Sequence, residues 1–111
     1  MKKDPIVFVR HILESIINIE NFMKDVNKKS FLKNKEKQSA VIRQIEIIGE
    51  AVKNLPRSFK GEYPNTPWED IAGMRDKLIH NYFGVNSETV WSTIKEDIPI
   101  LKIEILTLLK N

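Results

Sequence analysis

The sequence contains no cysteine and only two histidines, His11 and His80. The absence of cysteine excludes a disulfide framework, a cysteine-ligated zinc site and a thiol nucleophile. The two histidines stand far apart in the chain, and neither belongs to a cluster with metal-ligand spacing. We therefore expect no bound metal and no other cofactor.

Long apolar runs are also missing. Every apolar stretch is interrupted by Glu, Lys or Asn well before the roughly 20 residues that a membrane span requires. The basic start, Met1 to Pro5, is not followed by an apolar block of signal-peptide form. We therefore expect a cytoplasmic protein without a membrane partner.

Charge of one sign does not dominate, because 18 Lys and Arg residues face 15 Asp and Glu residues. The lysines are nevertheless concentrated between residues 24 and 37, at Lys24, Lys28, Lys29, Lys33, Lys35 and Lys37. Such a segment attracts a phosphate-bearing partner through counterion release. The other interpretation is a solvated connection between helices, and the lack of an accompanying aromatic stacking surface favours it.

The abundant feature is apolar side chains at helical spacing. Hydrophobic residues make up 41% of the 111 positions, enough for one independently folded domain spanning residues 1–111. They recur every three or four positions, as the buried face of a helix requires, and no alternating pattern of useful length predicts strands. The sequence therefore predicts an all-α bundle of four or five helices.

Start and stop signals divide the chain into four long helices. Asp4 and Pro5 supply an N-cap acceptor and a first-turn proline for the first helix, and Asn86 or Ser87 caps the last. The predicted helices run from Pro5 to about Phe22, from about Lys35 to Leu55, from Pro67 to about Tyr82 and from about Ser87 to Leu108, with a polar break over residues 27–34 and a loop over residues 56–65.

Five positions carry more specific predictions about these helices. Gly49 lies inside the second helix, where glycine is unfavourable, and this indicates either close backbone packing or a tolerated loss of helix stability. Thr66 and Glu69 have the spacing of a capping box at the start of the third helix. Gly84 can supply a left-handed end for that helix, and Pro99 should kink the last one.

The third helix carries the candidate functional residues. Asp76 and His80 are four residues apart, so on an ideal helix the carboxylate faces and orients the imidazole. Arg75 and His80 are five residues apart and therefore about 140° around the helix. They converge only through the reach of the arginine, through an irregular helix end near Gly84, or across a symmetric dimer.

An imidazole and a guanidinium together suit RNA cleavage without a metal. Imidazole takes and returns a proton near neutral pH, and a guanidinium stabilises charge on a phosphodiester. In RNA the 2′-hydroxyl is the nucleophile, and DNA lacks it. From spacing alone the alternative also stands, since a single histidine and arginine on a helix are more often structural.

Three segments resemble the HepT family of HEPN-domain toxins. They are IRQIEIIGEAVKNLP (Ile42 to Pro56), PWEDIAGMRDKLIHNYFGV (Pro67 to Val85) and VWSTIKEDIPIL (Val90 to Leu101). The most specific element is the R-x4-H-x-Y motif, which is formed here by Arg75, His80 and Tyr82.

The resemblance implies a homodimeric helical bundle with metal-independent endoribonuclease activity. It also implies the toxin role in a type VII toxin–antitoxin pair, with RNA as substrate. By position, Arg75 would bind the phosphate and His80 would be the general base or acid. Tyr82 would receive AMP from an MntA-like nucleotidyltransferase antitoxin. Supporting roles for Asp76 and Asn81 depend on the helical geometry alone.

Two other functions remain open at this point. One is a non-catalytic subunit that helps a minimal nucleotidyltransferase to bind nucleotide or substrate, and the other is a structural dimer with a decayed site. Glu46 and Glu50 are interpreted as a solvated helix face or a partner for a basic neighbour. Trp68 and Trp91 are interpreted as core anchors.

Overall fold

The computed structural model describes residues 4–80 and 84–110, and for residues 79, 80, 84 and 85 it describes the backbone alone. This part of the chain is helical apart from one two-stranded hairpin, which confirms the all-α class. The elements are α1 (Pro5–Met23), α2 (Lys28–Lys33), α3 (Lys35–Lys53), α4 (Arg57–Glu62), α5 (Trp68–Ala72), a 3₁₀ helix (Met74–Lys77), β1 (Ile79–His80), β2 (Gly84–Val85), α6 (Ser87–Ser92), a π-helical turn (Thr93–Asp97) and α7 (Ile98–Lys110).

The first and the last of the predicted helices begin at predicted capping residues. The Asp4 carboxylate accepts a hydrogen bond from the Ile6 N–H, and Pro5 occupies the first helical position. Asparagine side chains cap α2, α3 and α6 in the same manner, at Asn27, Asn34 and Asn86. Each cap satisfies a backbone N–H that has no partner inside its helix.

The core lies between α1, α3 and a continuous C-terminal rod formed by α6, the π-helical turn and α7 (residues 87–110). α1 packs along α3 and along α7. Glu88 at the start of the rod lies 3.4 Å from Lys28, which follows α1, and Lys102 lies 3.0 Å from Glu20 within α1. The rod therefore runs antiparallel to α1. None of the described helices combines the length and the apolar character needed to cross a bilayer.

The polar break predicted over residues 27–34 is wrong, because this segment contains α2. Phe31 in α2 is completely buried, and its ring lies 5.7 Å from that of Trp91. The Gln38 side chain donates hydrogen bonds to the carbonyls of Phe31 and Leu32 at the end of α2. The buried Phe31 ring and the Gln38 amide thus stabilise α2, which is too short to show a helical period of apolar residues in the sequence.

Replacing Phe31 with alanine is expected to reduce the free energy of unfolding by about 3 to 5 kcal/mol, because it empties a buried aromatic site. Phe31→Leu should cost less, since it fills much of the same volume. Chemical denaturation of the two variants measures the difference. A loss below about 1 kcal/mol for the alanine variant would show that α2 is not anchored in the core.

The loop predicted over residues 56–65 is also wrong in part, because it contains α4. The indole N–H of Trp68 donates to the carbonyls of Lys60 and Tyr63 at the end of α4, at 3.2 and 3.1 Å. Trp68 is 8% exposed and packs with Phe59, so its interpretation as a core anchor is confirmed. The indole both fills the core and binds the last turn of α4.

The predicted third helix, from Pro67 to about Tyr82, is shorter and less regular than expected. It ends at Ala72, and Thr66 and Glu69 do not form the predicted capping box. A 3₁₀ helix follows from Met74 to Lys77, and Gly84 pairs with β1 in the hairpin instead of ending a helix. Backbone pairing between β1 and β2 replaces the last turns of the expected helix.

The sequence predicts a kink at Pro99, and the structure has a π-helical turn immediately before this proline. The Ile98 N–H donates to the Thr93 carbonyl, five residues back. Proline lacks an N–H, and its ring clashes with the carbonyl four residues earlier. A widened turn leaves room for the ring and lets the rod continue into α7.

Candidate active site

Arg75 is held on the surface by the two buried residues of its own segment. Met74 and Leu78 are 5% and 0% exposed, whereas residues 75–77 between them are exposed. The Leu78 N–H donates to the Arg75 carbonyl, which closes the 3₁₀ turn. The short helix therefore presents Arg75 and Asp76 outward from a fixed backbone.

Glu46 of α3 orients the Arg75 guanidinium. The Arg75 Nε donates to Glu46 Oε2 over 2.9 Å, and Asp76 Oδ1 lies 3.8 Å from Nη1. The Arg75 side chain remains 47% exposed. Glu46 occupies the Nε edge, and within the described structure the edge formed by Nη1 and Nη2 has only the longer contact with the exposed Asp76. A phosphate that displaces Asp76 can therefore bind this edge through two hydrogen bonds.

Close packing of α5 on α3 brings these two residues together. A Cβ added at Gly49 of α3 would lie 3.1 Å from the Ala72 carbonyl oxygen. This confirms the close approach predicted from Gly49. Glycine lets the end of α5 lie against α3, one turn from Glu46, and so places the following 3₁₀ helix within reach of Glu46.

The two helices enclose a charged cleft of about 230 Å³. Arg43, Glu46 and Glu50 of α3 form one wall, and Ala72, Arg75 and Asp76 form the other. Glu50 is partnered by Lys53 at 3.8 Å. The cleft therefore offers the cationic groups that a phosphodiester requires, with Arg75 fixed at its edge.

His80 follows the 3₁₀ helix by way of β1. Its backbone pairs with Gly84, and Ile79 pairs with Val85. The Asn86 N–H donates to the Leu78 carbonyl over 2.9 Å, which closes the hairpin onto the 3₁₀ helix. The His80 side chain and the residues Asn81 and Tyr82 lie outside the described part of the chain.

The helical relation predicted between Asp76 and His80 is wrong, because Asp76 lies in the 3₁₀ helix and His80 in β1. The Asp76 side chain is 83% exposed, and Arg75 is its ion-pair partner in the described structure. The irregular helix end expected as one route for Arg75 and His80 to converge is present. It takes the form of the 3₁₀ helix and the hairpin.

Glu46 is the residue at this site that the sequence did not assign. Its interpretation as a partner for a basic neighbour is correct, but the neighbour is Arg75, 29 positions away in sequence. The pairing depends on the α3–α5 contact, which no short motif encodes. Among the side chains that the structure describes within residues 4–80 and 84–110, no group of carboxylates and histidines has metal-binding geometry.

Comparison with known proteins identifies the family. The family model described as "Ribonuclease HepT-like" matches residues 12–108. A protein of Methanocaldococcus jannaschii named "Gamma-glutamylcyclotransferase and putative RNase MJ0434" is 50% identical over 111 residues, all of this chain and 50% of that protein. A Thermococcus cleftensis protein named "Probable ribonuclease HepT" is 50% identical over 102 residues, 92% of this chain and 93% of its own length.

The chain therefore belongs to the HepT-like ribonuclease family, which confirms the resemblance noted in the sequence. It spans half of the first of these relatives and nearly all of the second. No solved structure matches the chain.

Proposed function

We propose that this member of a ribonuclease family is an endoribonuclease whose active site is the cleft at Arg75. The observation that supports this proposal most directly is the Glu46–Arg75 pair, which aims a guanidinium at a surface cleft and leaves its terminal nitrogens, among the described residues, with only the 3.8 Å contact to Asp76. Such a preformed cation stabilises the charge that develops on a phosphodiester without reorganising at the moment of reaction.

The proposed reaction uses the 2′-hydroxyl of RNA as the nucleophile. His80 removes its proton as a general base, and the 2′-oxygen attacks the adjacent phosphorus. The bond from phosphorus to the 5′-oxygen breaks, and that oxygen takes up a proton. The products are a 2′,3′-cyclic phosphate and a 5′-hydroxyl, while Arg75 binds the non-bridging oxygens throughout.

Purified protein should cut RNA internally in the presence of a chelator, since the proposed groups are all side chains of this protein. A circular RNA is the sharpest substrate, because an exonuclease has no end from which to start. A strict requirement for added divalent metal would contradict the proposed mechanism. Binding of nucleotide without any cleavage would instead support the role of a non-catalytic subunit.

We further propose that this ribonuclease acts in the cytoplasm as the toxin of a type VII toxin–antitoxin pair. Its antitoxin would be an MntA-like nucleotidyltransferase that transfers AMP to Tyr82. The motif places Tyr82 two positions after His80 and seven after Arg75. A bulky anionic nucleotide there would occupy the phosphate-binding cleft and repel RNA.

Co-expression with an MntA-like nucleotidyltransferase should add mass to the protein in multiples of one AMP unit. The Tyr82→Phe variant should keep its original mass, because it lacks the acceptor hydroxyl. Tyr63→Phe is the matched control, since the chain contains only these two tyrosines. Intact-mass spectrometry of the three proteins gives the result, and full modification of Tyr82→Phe would exclude Tyr82 as the acceptor.

We propose that the protein functions as a homodimer, and an apolar surface on the outer side of the C-terminal rod supports this. The large exposed apolar side chains of the described structure are Ile17, Ile100, Ile103 and Leu106, which are 42%, 59%, 67% and 39% exposed. The Glu20–Lys102 ion pair places Ile17 of α1 beside Leu106, since each is about one turn from the pair on antiparallel helices. The four residues thus form one surface, as expected of an interface between copies.

This apolar surface adjoins the segment that carries the motif. Ile100 lines one depression together with Met74 and Lys77 of the 3₁₀ helix. Glu104 also lies there, and burial raises the pKa of its carboxyl, so the group is neutralised more easily than an exposed glutamate. A second copy on this surface would therefore lie next to the 3₁₀ helix that precedes β1.

The Ile103→Glu variant is expected to sediment as a monomer at low micromolar concentration, whereas the parent sediments as a dimer. A charge placed at the centre of the apolar surface would be desolvated on association. Ser58→Glu, at an exposed position on α4, is the control and should remain dimeric. A monomeric parent would contradict the homodimer, and a dimeric Ile103→Glu protein would place the interface elsewhere.

A further inference from the structure

The outer face of α3 carries a line of positive charge that begins at the candidate active site. Lys35 and Glu46 lie nearly in line on this face, because their separation of eleven residues corresponds to about three turns. Arg43 lies to one side of that line, about 80° around the helix from Lys35 and about 60° from Glu46. The buried stripe of α3 occupies the other side, at Val41, Ile45, Ile48 and Val52. From Lys35 to Glu46, where Arg75 is bound, the helix spans roughly 16 Å at 1.5 Å per residue.

Two surface depressions lie along this face, one towards each end of the line. The first is the cleft that contains Arg43 and Arg75. The second is an open groove at the junction of α2 and α3, lined by Lys33, Lys35 and their neighbours Ser30, Asn34 and Glu36. The groove and the cleft together define a path long enough for a few nucleotides of single-stranded RNA.

Three of the positive charges on this path have no ion-pair partner among the described residues. Lys28 and Lys37, by contrast, are engaged by the Glu88 carboxylate and the Phe22 carbonyl. Arg43, Lys33 and Lys35 are exposed, and none of them makes an ion pair or a side-chain hydrogen bond in the part of the chain that the structure describes. Long cationic side chains without an internal partner are the groups that bind a nucleic-acid backbone.

The acidic residues near the path do not cancel its positive charge. Glu46 is held by Arg75, and Glu50 lies beside Lys53. Asp76 lies 3.8 Å from Arg75. Glu36 is the carboxylate of the two depressions without an ion pair in the described structure, and it lies on the same side of α3 as Arg43, seven residues away. The groups along the path that belong to none of the described ion pairs are Lys33, Lys35, Arg43 and Glu36, and their summed charge is positive.

We propose that the outer face of α3 binds the RNA strand on one side of the cleavage site. Arg43 contacts a backbone phosphate close to the one held by Arg75, and Lys33 and Lys35 contact phosphates farther along the strand. This inference rests on the proposed ribonuclease function and adds the direction in which the substrate leaves the cleft. The contacts read the backbone and not the bases, since no aromatic side chain lines either depression among the residues whose side chains the structure describes.

The test measures the affinity of a fluorescent single-stranded RNA as a function of salt, with His80→Ala in every protein to prevent cleavage. Each lost phosphate contact lowers the slope of log affinity against log salt by about 0.7 for a single strand. The double variant Arg43→Ala/Lys35→Ala should therefore lose about 1.4 of the slope. Arg43→Lys should retain the parent slope, because it retains the charge.

Arg10→Ala is the matched control, since Arg10 is an exposed arginine of α1 without a described ion pair. It should leave the slope unchanged. In proteins that retain His80, the double variant should lose kcat/KM mainly through a higher KM, and circular dichroism verifies that it folds.

The outcomes separate this inference from the function on which it rests. If the parent cleaves RNA and the double variant keeps the parent slope and KM, the path along α3 is wrong and the ribonuclease function stands. If the parent neither cleaves nor binds RNA, both are overturned. An equal loss of slope in Arg10→Ala would show diffuse attraction to a basic protein and would also overturn the path.

Discussion

Replacing His80 with alanine is expected to slow RNA cleavage by roughly 100- to 10,000-fold, the range typical for loss of a general base or acid. Without the imidazole, the 2′-hydroxyl has no positioned acceptor for its proton. Single-turnover cleavage at neutral pH measures the chemical step directly. RNA affinity should change little, because Arg75 and the other cations remain.

His11→Ala is the control for this prediction, since His11 is the other histidine of the chain. It lies exposed on α1 and contacts the edge of Phe8. The control should cleave RNA at the parent rate. If His80→Ala cleaves RNA at the parent rate, His80 is not the general base, and another group must remove the proton of the 2′-hydroxyl.

Replacing Arg75 with alanine is expected to lower kcat by about 100- to 1,000-fold, comparable to the loss of one preorganised donor to a transition-state oxyanion. Arg75→Lys should not restore the rate. A lysine ammonium is a point charge and cannot bind Glu46 with one edge while it offers two parallel donors to phosphate with the other. Comparison of kcat for the three proteins under saturating RNA measures this requirement.

The same comparison tests whether Glu46 acts through Arg75. Glu46→Ala should lower kcat in the parent, because the guanidinium loses its orientation. In the Arg75→Ala background the same change should have no further effect, since residues that act as one unit are not additive. Glu50→Ala, one turn along α3, is the control. Equal effects of Glu46→Ala in both backgrounds would show that Glu46 does not position Arg75.

The long helices were predictable because local signals and packing agree. α1 begins at Asp4 and Pro5 as expected, and α6 begins at the Asn86 cap. The apolar stripe of α3 forms the core as its spacing requires. Gly49 also indicated a tertiary contact. Glycine is unfavourable within a helix, and the close approach of the Ala72 carbonyl explains its presence there.

The short elements were not predictable from the same signals. α2 and α4 each contain six residues, too few to show a helical period. What stabilises them is tertiary, namely the burial of Phe31 and the hydrogen bonds from the Trp68 indole. The sequence in these segments is polar enough to predict loops.

The sequence proposed residues for the candidate site, but the geometry around Arg75 could not be predicted from it. The R-x4-H-x-Y motif identified Arg75, and the family match supports the ribonuclease class. The end of the helix at Ala72 was not visible, because pairing between β1 and β2 overrides the helical pattern through His80. Glu46 was not assigned, because its partner is set by the packing of two helices.

The measurement that tests the central claim most directly is cleavage of an RNA carrying a single 2′-deoxy substitution at the cleaved position. The proposed mechanism predicts no cut at that position and normal cuts elsewhere, with a 2′,3′-cyclic phosphate on the products from unmodified RNA. A normal cut at the deoxy position would contradict the account, because the nucleophile would then not be the 2′-hydroxyl that His80 is proposed to activate.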